Sequence, residues 1–557
     1  MTRRLRPVAL AIACLLLATA AVAAPVKPRL VVLISIDQFR ADYLGRFSDL
    51  FLPPRDSKGV GGFRWLMERG AYHTDAHHDH YPLFTGPGHS IHFTGAPPYK
   101  TGIVGNEWFD REMNAVRYCV QDPKSPLVGA DDPDGKRGIS PVTLRTSTVG
   151  DELKMATGGQ AKVWGLALKD RAGVLMAGHL ADGVLWFDAK TAAWISSRFY
   201  FKSGQLPPWV ATWNAAKKVD GYIGKTWNLS VPQKALARSW TPHNDFANPP
   251  SGWGKDFPHP VKDYATFTYT PYANEYVLTT AEELIRREKL GQDAIPDILA
   301  INLSTNDYIG HAFGPDSPEV LDVTAQTDRQ LSRFFRFLGK AVPGGLQNVT
   351  IVLTADHGVA PMVEEMKKGG FATASAYQEK TLADAVKAAL DKALGPGDWL
   401  KALSEFNLYL DLDALRQKGI EPAKAEEIAA EALRGQLGIY AAYTRSQIVG
   451  GRVPDTDIGH RVVLGFHPKV SGDVVIVLDP YTVPNYSGGV VSKGTTHGTT
   501  YAYDTTVPIL LAGAGIKPGR YTQRVSTLDI APTLSDLLGV LQPSGCEGRV
   551  LSPALKP

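Results

Sequence analysis

The chain has 557 residues, 44% of them hydrophobic and 21% charged, with 59 Lys and Arg, 56 Asp and Glu and three cysteines. This is ordinary globular composition, with length for a large core and more than one structural unit. It excludes a disulfide-stapled scaffold and a metal site built from thiolates, so any metal must be held by histidine and carboxylate.

The opening stretch, "MTRRLRPVALAIACLLLATAAVAAP", sets three arginines before a short apolar run closed by small residues. It reads as a secretory signal peptide, residues 1–23, cleaved after Ala23. A lipid anchor at Cys14 is the poorer reading, because Ala11 stands where a leucine is expected. Removing the segment takes Arg3, Arg4 and Arg6 and no acid, so Lys and Arg fall to 56, equal to the 56 acids. The mature chain is then formally neutral, and no nucleic-acid partner is expected. No other segment reaches the ~18 apolar residues of a membrane helix, so the expected location is periplasmic or secreted, with no membrane span. Cys119 and Cys546 remain after cleavage, and their spacing leaves open whether they pair.

In chain order, the first element is "RLVVLISIDQF" (29–39), a continuous apolar run ending at Asp37, as for a strand buried on both faces of a parallel sheet. "HTDAHHDH" (73–80) follows, with four histidines and two aspartates. Next comes "YPLFTGPGHSIHFTG" (81–95), where Thr85, His89, Ser90, His92 and Thr94 are all chemically able side chains. The strand pattern recurs at "AKVWGLALKD" (161–170), "DILAINLSTND" (297–307), "NVTIVLTADHG" (348–358) and "VPILLAGAGI" (507–516). Helical stretches lie between, at 279–290 and 318–342. Residues ~190–275 are rich in Trp, Pro, Gly and Tyr and read as an inserted loop-rich region or lid. Residues ~365–490 carry two amphipathic helices (381–394 and 422–437) and a strand (473–480), a small α+β unit set into the main domain. Alternating strands and helices predict an α/β fold with a mostly parallel central sheet flanked by helices.

Ligands of such sheets bind beyond the carboxyl ends of the strands. Four of the five runs end in residues able to bind metal or anions: Asp37, Lys169, Asp307, and Asp356 with His357. Asp307 and His311 lie four apart, on one face of a helical turn. Asp356 and His357 are adjacent and would serve one ion only if the chain turns sharply, which Gly358 permits. His497 stands between hydroxyls and a glycine in "GTTHG". Each has an ordinary reading: a strand-end Asp more often caps a helix, and an Asp-x3-His pair is often a solvated face. The 73–80 cluster is a rival ligand source. Three carboxylates and three histidines at strand ends nevertheless fit a two-metal hydrolytic site.

The order of "SIDQFRADYL", "TGPGHSIHFTGAPPYKTGIVGNEW", "NDYIGHAFGP", "TADHG" and "GTTHGTTYAYD" resembles the alkaline phosphatase superfamily. Within it, the chain is most similar to the phosphate-irrepressible alkaline phosphatases and the related type I phosphodiesterase/nucleotide pyrophosphatases. The resemblance covers nearly the whole mature chain, and implies one alkaline-phosphatase-like catalytic domain over residues 24–557. It implies two Zn2+ per chain, one held by Asp307, His311 and His497, the other by Asp37, Asp356 and His357 with Thr85 as exchangeable ligand. Thr85 becomes the nucleophile, at the start of a helix whose free N–H groups favour an alkoxide and a phosphate. His89, Ser90 and Thr94 become packing and helix residues, and His92 a hydrogen-bonding one.

Substrate class is expected from three more residues. Asn106, in "GIVGN", donates to a phosphoryl oxygen in the phosphatases it resembles. Lys169 and Arg171, in "LKDR", suit a phosphate monoester, a dianion whose oxygens a guanidinium engages in pairs. The expectation is a monomeric phosphatase of small-molecule phosphate monoesters, acting through phosphothreonine. The rivals are a phosphodiesterase or nucleotide pyrophosphatase on the same metals, and a secreted zinc-binding protein without catalysis. A sulfatase is disfavoured, since the Cys/Ser-x-Pro-x-Arg pattern is missing. Thr101 and the Thr499–Thr500 pair depart from common residues of the family and bear on substrate preference only.

Overall fold

A computed structural model describes residues 27–57, 59–131, 137–239, 245–485 and 491–556. The signal peptide expected at 1–23 lies outside the described residues. Ten strands form the central sheet: β1 (Leu30–Ile36), β2 (Ala71–His73), β3 (Leu127–Val128), β4 (Val163–Ala167), β5 (Gly183–Asp188), β6 (Ala193–Ser197), β7 (Asp297–Leu303), β8 (Val349–Thr354), β9 (Ile509–Gly513) and β10 (Gly519–Tyr521). Their order is β10-β2-β9-β8-β1-β7-β4-β5-β6-β3. The five central strands β8-β1-β7-β4-β5 run parallel. Every residue of β1, β7 and β8 is buried, which is why these strands read as unbroken apolar runs rather than alternating ones. β9 was expected among the same kind of strand, but runs antiparallel to β8. The chain returns from His497 at the carboxyl edge of the sheet, so it can only enter the sheet from that end.

Helices cover both faces. The 24-residue helix Pro318–Ala341 has Ser317 accepting from the Val320 amide and Pro318 at its first position, the start signals that sequence supplies for a helix. The Trp-rich stretch from ~190 is packed rather than loose. It supplies β6 and the helix Pro208–Ala215, and Trp194, Trp213, Trp227 and Trp253 are buried in the main core. Irregular backbone carrying large aromatics fills space without leaving a period to read.

Residues 375–478 build a second core of their own. Strands Leu400–Ser404, Asn407–Leu410, Val474–Leu478 and Ile439–Thr444 form an antiparallel sheet in that order. Helices Glu379–Leu394 and Pro422–Arg434 cover it, burying Leu382, Val386, Leu390 and Leu433. Tyr81 and Phe84, from just ahead of Thr85, belong to this second core. The unit therefore joins the main body directly beside the residue of greatest chemical interest.

Candidate active site

Three helices deliver side chains to the carboxyl edge of the parallel strands: α1 (Thr85–Thr94), α2 (Asp170–Ala177) and α3 (Thr305–Phe313). Thr85 is the first residue of α1, after extended Phe84, and all ten residues of the helix are buried. Its close docking depends on glycine: a Cβ on Gly88 would fall 2.2 Å from the Asp356 carbonyl oxygen. Asp37 follows β1, Asp356 and His357 follow β8, and Asp307 lies in the first turn of α3.

Asp307, His311 and His497 offer ligand atoms that lie close enough together to hold one metal ion; so do Asp37, Asp307 and His357, and so do Asp37, His89 and Asp356. His311 Nε2 is 3.1 Å and His497 Nε2 3.9 Å from Asp307 Oδ1. His357 Nε2 is 3.2 Å from Asp356 Oδ2, 3.6 Å from Asp37 Oδ1 and 3.4 Å from Thr85 Oγ1. In all three histidines Nδ1 faces a backbone carbonyl, of Thr495, Leu83 and Gly358 respectively for His311, His497 and His357, at 2.7–2.9 Å. A donating Nδ1–H leaves the Nε2 lone pair free and aimed inward, the tautomer a metal ligand needs. Asp37 and Asp356 are fully buried, and ionisable groups face their oxygens: Lys169 Nζ lies 2.8 Å from Asp37 Oδ2, and His89 Nδ1 and His357 Nε2 each lie 3.2 Å from Asp356 Oδ2. Buried carboxylate oxygens beside imidazole nitrogens are a donor set suited to divalent cations; without an ion, Asp356 pushes His357 up to about 9 against its burial.

The electrostatics agree. Burial, with the nearby Asp307 and Asp356 charges, pushes Asp37 up to about 7. Burial opposes ionisation of Asp307 too, but Lys169 and His311 hold it well below the usual carboxylate range. Three carboxylates crowded in one buried space is an arrangement that added positive charge relieves. Lys169 Nζ already bridges two of them, 2.8 Å from Asp37 Oδ2 and 2.5 Å from Asp307 Oδ2.

Thr85 also meets the other residues singled out in the sequence. Arg171 Nη2 lies 3.4 Å from Thr85 Oγ1, and its Nη1 donates to the Tyr118 hydroxyl at 3.2 Å. Tyr118 in turn donates to Asp170. The Gly86 amide donates to Asn106 Oδ1 at 2.8 Å. Thr85 and the other nine sequence-derived candidates thus form one cluster.

Other expectations change. His89, assigned to packing, has Nδ1 3.2 Å from Asp356 Oδ2 and 2.9 Å from the Thr85 carbonyl oxygen, with Nε2 3.0 Å from Asn302 Nδ2. It sits one turn after Thr85 on the same face of α1, and that spacing was the available signal. Gln38 was not singled out. Its φ of 62° is in the left-handed region, and it ties the two carboxylate groups together: its amide donates to Asp356 Oδ1 and its Nε2 to Asp307 Oδ1. Nothing in its residue type announces this. Glu405, from the second core, receives the Asn106 amide at 2.6 Å; burial pushes its carboxyl up to about 8, against the pull of that amide. The 73–80 histidines disperse: His77 pairs with Asp75, His78 faces the Ala355 carbonyl, and His73 stacks on Tyr521. Among the described residues this cluster forms no group able to hold a metal. Cys119 and Cys546 are free thiols.

Comparison with known proteins gives the same frame. Alkaline phosphatase PhoV of Synechococcus elongatus is 34% identical over 95% of this chain and 93% of its own. A protein of Myroides odoratus named a calcium-transporting ATPase is 32% identical over 95% of both chains. Alkaline phosphatase PafA of Elizabethkingia meningoseptica is 33% identical over 95% of both. A crystal structure of PafA superposes with a TM-score of 0.87, covering 96% of this chain and all of that one. Another PafA structure carries serine for a threonine and alanine for an asparagine, a lysine and an arginine. Residues 31–500 match the family described as type I phosphodiesterase / nucleotide pyrophosphatase, and the chain belongs to it.

Proposed function

We propose that this protein is a secreted, zinc-dependent alkaline phosphatase that hydrolyses small-molecule phosphate monoesters through a phosphothreonine at Thr85. The reading rests on one observation: the Thr85 hydroxyl lies 3.4 Å from Arg171 Nη2 and 3.4 Å from His357 Nε2. One neighbour belongs to a set of inward-facing ligand atoms, the other to a cationic wall. Thr85, Asn106, Lys169 and Arg171 also repeat, in order and type, the four residues replaced together in PafA.

Asp307, His311 and His497 would hold one Zn2+, and Asp37, Asp356 and His357, with Thr85, the other. Two such cations supply the charge that lowers the basicity of the threonine oxygen and stabilises the leaving oxygen. Nitrogen and carboxylate donors without thiolate favour zinc among the common ions. The protein does the rest. Thr85 Oγ1 forms a bond to phosphorus as the bond from phosphorus to the ester oxygen breaks, and the alcohol departs. Arg171 spans two phosphoryl oxygens, with the Tyr118 hydroxyl fixing the plane of its guanidinium. Asn106 turns its Oδ1 to the Gly86 amide and so presents its Nδ2 hydrogens to a third oxygen. The first-turn amides of α1 face the same charge. Water then cleaves phosphothreonine, releasing phosphate and restoring the hydroxyl. The chain is read as a monomer in the periplasm or outside the cell. No helix among the described residues is long and apolar enough to cross a membrane.

The test is a pair of steady-state rates on one metal-analysed sample. p-Nitrophenyl phosphate should be turned over with a higher kcat/KM than bis-p-nitrophenyl phosphate, with two zinc atoms per chain. The reverse preference would make it a diesterase on the same residues.

A further inference from the structure

The phosphatase reading leaves unexplained why a turn of the second core reaches the site at all. Strands Leu400–Ser404 and Asn407–Leu410 are joined by Glu405 and Phe406, both in the left-handed region at φ 44° and 67°. Neither residue is glycine or asparagine, the types that tolerate this turn, so the sequence accepts strain to put these two side chains at its tip.

Each side chain meets the site. The Glu405 carboxylate is buried and receives the backbone amides of Asn106 and Glu107, the first at 2.6 Å. Gly105 allows that approach: a Cβ there would lie 2.3 Å from Glu405 Oε2. Phe406 stacks on Tyr81 and Phe84, with ring centroids 5.9 and 5.4 Å away, and Phe84 meets His497 edge-on. A Cβ on Gly498 would lie 2.8 Å from the Phe406 ring. Two glycines, each adjacent to a site residue (Asn106 and His497), are thus the cradle of one hairpin tip.

We propose that the Glu405–Phe406 tip is a positioning element, in which Glu405 fixes the Asn106 loop so that the Asn106 amide stays directed at the phosphoryl group. This rests on the reading of Asn106 as a phosphoryl donor. The logic is orientational. Asn106 Oδ1 is held by Gly86 from one side and its backbone N–H by Glu405 from the other, so the side chain is pinned at both ends and its Nδ2 has one direction left. The hydrogen bonds of the Glu405 carboxyl go to the Asn106 and Glu107 amides. It also feels the Arg171 charge, and Glu405→Gln, which keeps the acceptor and drops the charge, separates an effect through Asn106 from one through Arg171.

The experiment is a double-mutant cycle on the full mature chain, with zinc content, far-UV circular dichroism and melting temperature measured for every variant. Glu405→Ala should lower kcat/KM for p-nitrophenyl phosphate about tenfold and weaken inhibition by inorganic phosphate, with zinc content unchanged. Glu405→Gln keeps an acceptor for the Asn106 amide and should recover most of the loss. Gly105→Ala, which displaces the carboxylate, should behave like Glu405→Ala. In an Asn106→Ala background, Glu405→Ala should cost nothing more. If Asn106→Ala turns over like the parent, the phosphoryl-donor reading fails, and this proposal with it. If Asn106→Ala is impaired and Glu405→Ala still costs tenfold on top, the reading stands and the proposal falls. It falls equally if Glu405→Gln is as damaged as Glu405→Ala.

Discussion

The two sides of Thr85 are built differently. On the ligand side, Asp37, Asp356 and His357 stand at the ends of two adjacent parallel strands, and each histidine is oriented by a main-chain carbonyl. On the phosphoryl side, Asn106, Lys169 and Arg171 come from loops and a helix start, oriented mostly by other side chains, Tyr118, Asp307 and Glu405, with the Gly86 amide on Asn106 Oδ1. Backbone orientation survives most substitutions, whereas side-chain orientation is lost one residue at a time. In the proposed mechanism the ligand side is therefore the common chemical engine, and the phosphoryl side the part that sequence change can retune.

Breaking the shared point should cost most. Thr85→Ala removes the group both sides serve, and is expected to lower kcat by about 10⁴-fold or more while zinc content falls little, since the histidines and carboxylates remain. Retained turnover in that variant, measured with p-nitrophenyl phosphate, would end the covalent account. Chelation attacks the ligand side alone. Dialysis against EDTA should abolish activity and lower the melting temperature, because a ligand at about 1,000 times its Kd contributes about 4 kcal/mol to the folded state. Zinc readdition should restore both. Lys169→Ala and Arg171→Ala attack the other side. Each should cost about 10²–10³-fold in monoesterase kcat/KM and much less with a singly charged diester, leaving thermal stability of the zinc-loaded protein near the parent value. An equal loss on both ester classes would show that these cations do not set substrate charge.

The same division governs what the sequence disclosed. Strand ends are legible because a strand buried on both faces is a continuous apolar run, and a carboxylate at its end interrupts the run: "LVVLISID" and "TIVLTAD" announce Asp37 and Asp356 directly. The Asp307–His311 spacing is legible for the same local reason. Lys169 was marked by its strand end as an anion ligand, whereas its phosphoryl role, with Arg171 and Asn106, was reached through the family resemblance. Gln38, Glu405 and the contact of His89 with Asp356 were not reached at all. Gln38 acts through an unusual φ, and Glu405 arrives from 299 positions beyond the amide it accepts. Position 405 lies in a hairpin whose residue types argue against the turn it makes. The burial of the Trp-rich stretch was hidden for another reason, since aromatic packing from irregular backbone has no period.

The smallest effect sharpens the comparison by asking what buried histidines do away from the site. His73, on β2, and His467, in the second unit, are both buried, and burial lowers each to about 4. Both ring nitrogens of His73 lack a partner, and its ring stacks on Tyr521 at 5.0 Å. In the unfolded chain each would titrate near 6.5. Between pH 6.5 and 4 the unfolded state therefore binds a proton that the folded state refuses, and stability falls as pH drops through that window. It is unaffected by His73 above it. The slope is at most about 1.4 kcal/mol per pH unit for each histidine. His73→Phe keeps the stacked ring and loses no hydrogen bond, so denaturant unfolding at pH 8 should match the parent, and at pH 5 the variant should be the more stable of the two. Equal acid sensitivity would mean that the fold already accommodates a charge at His73. The contrast with His357, which Asp356 pushes up to about 9 against its burial, would then lose its physical basis.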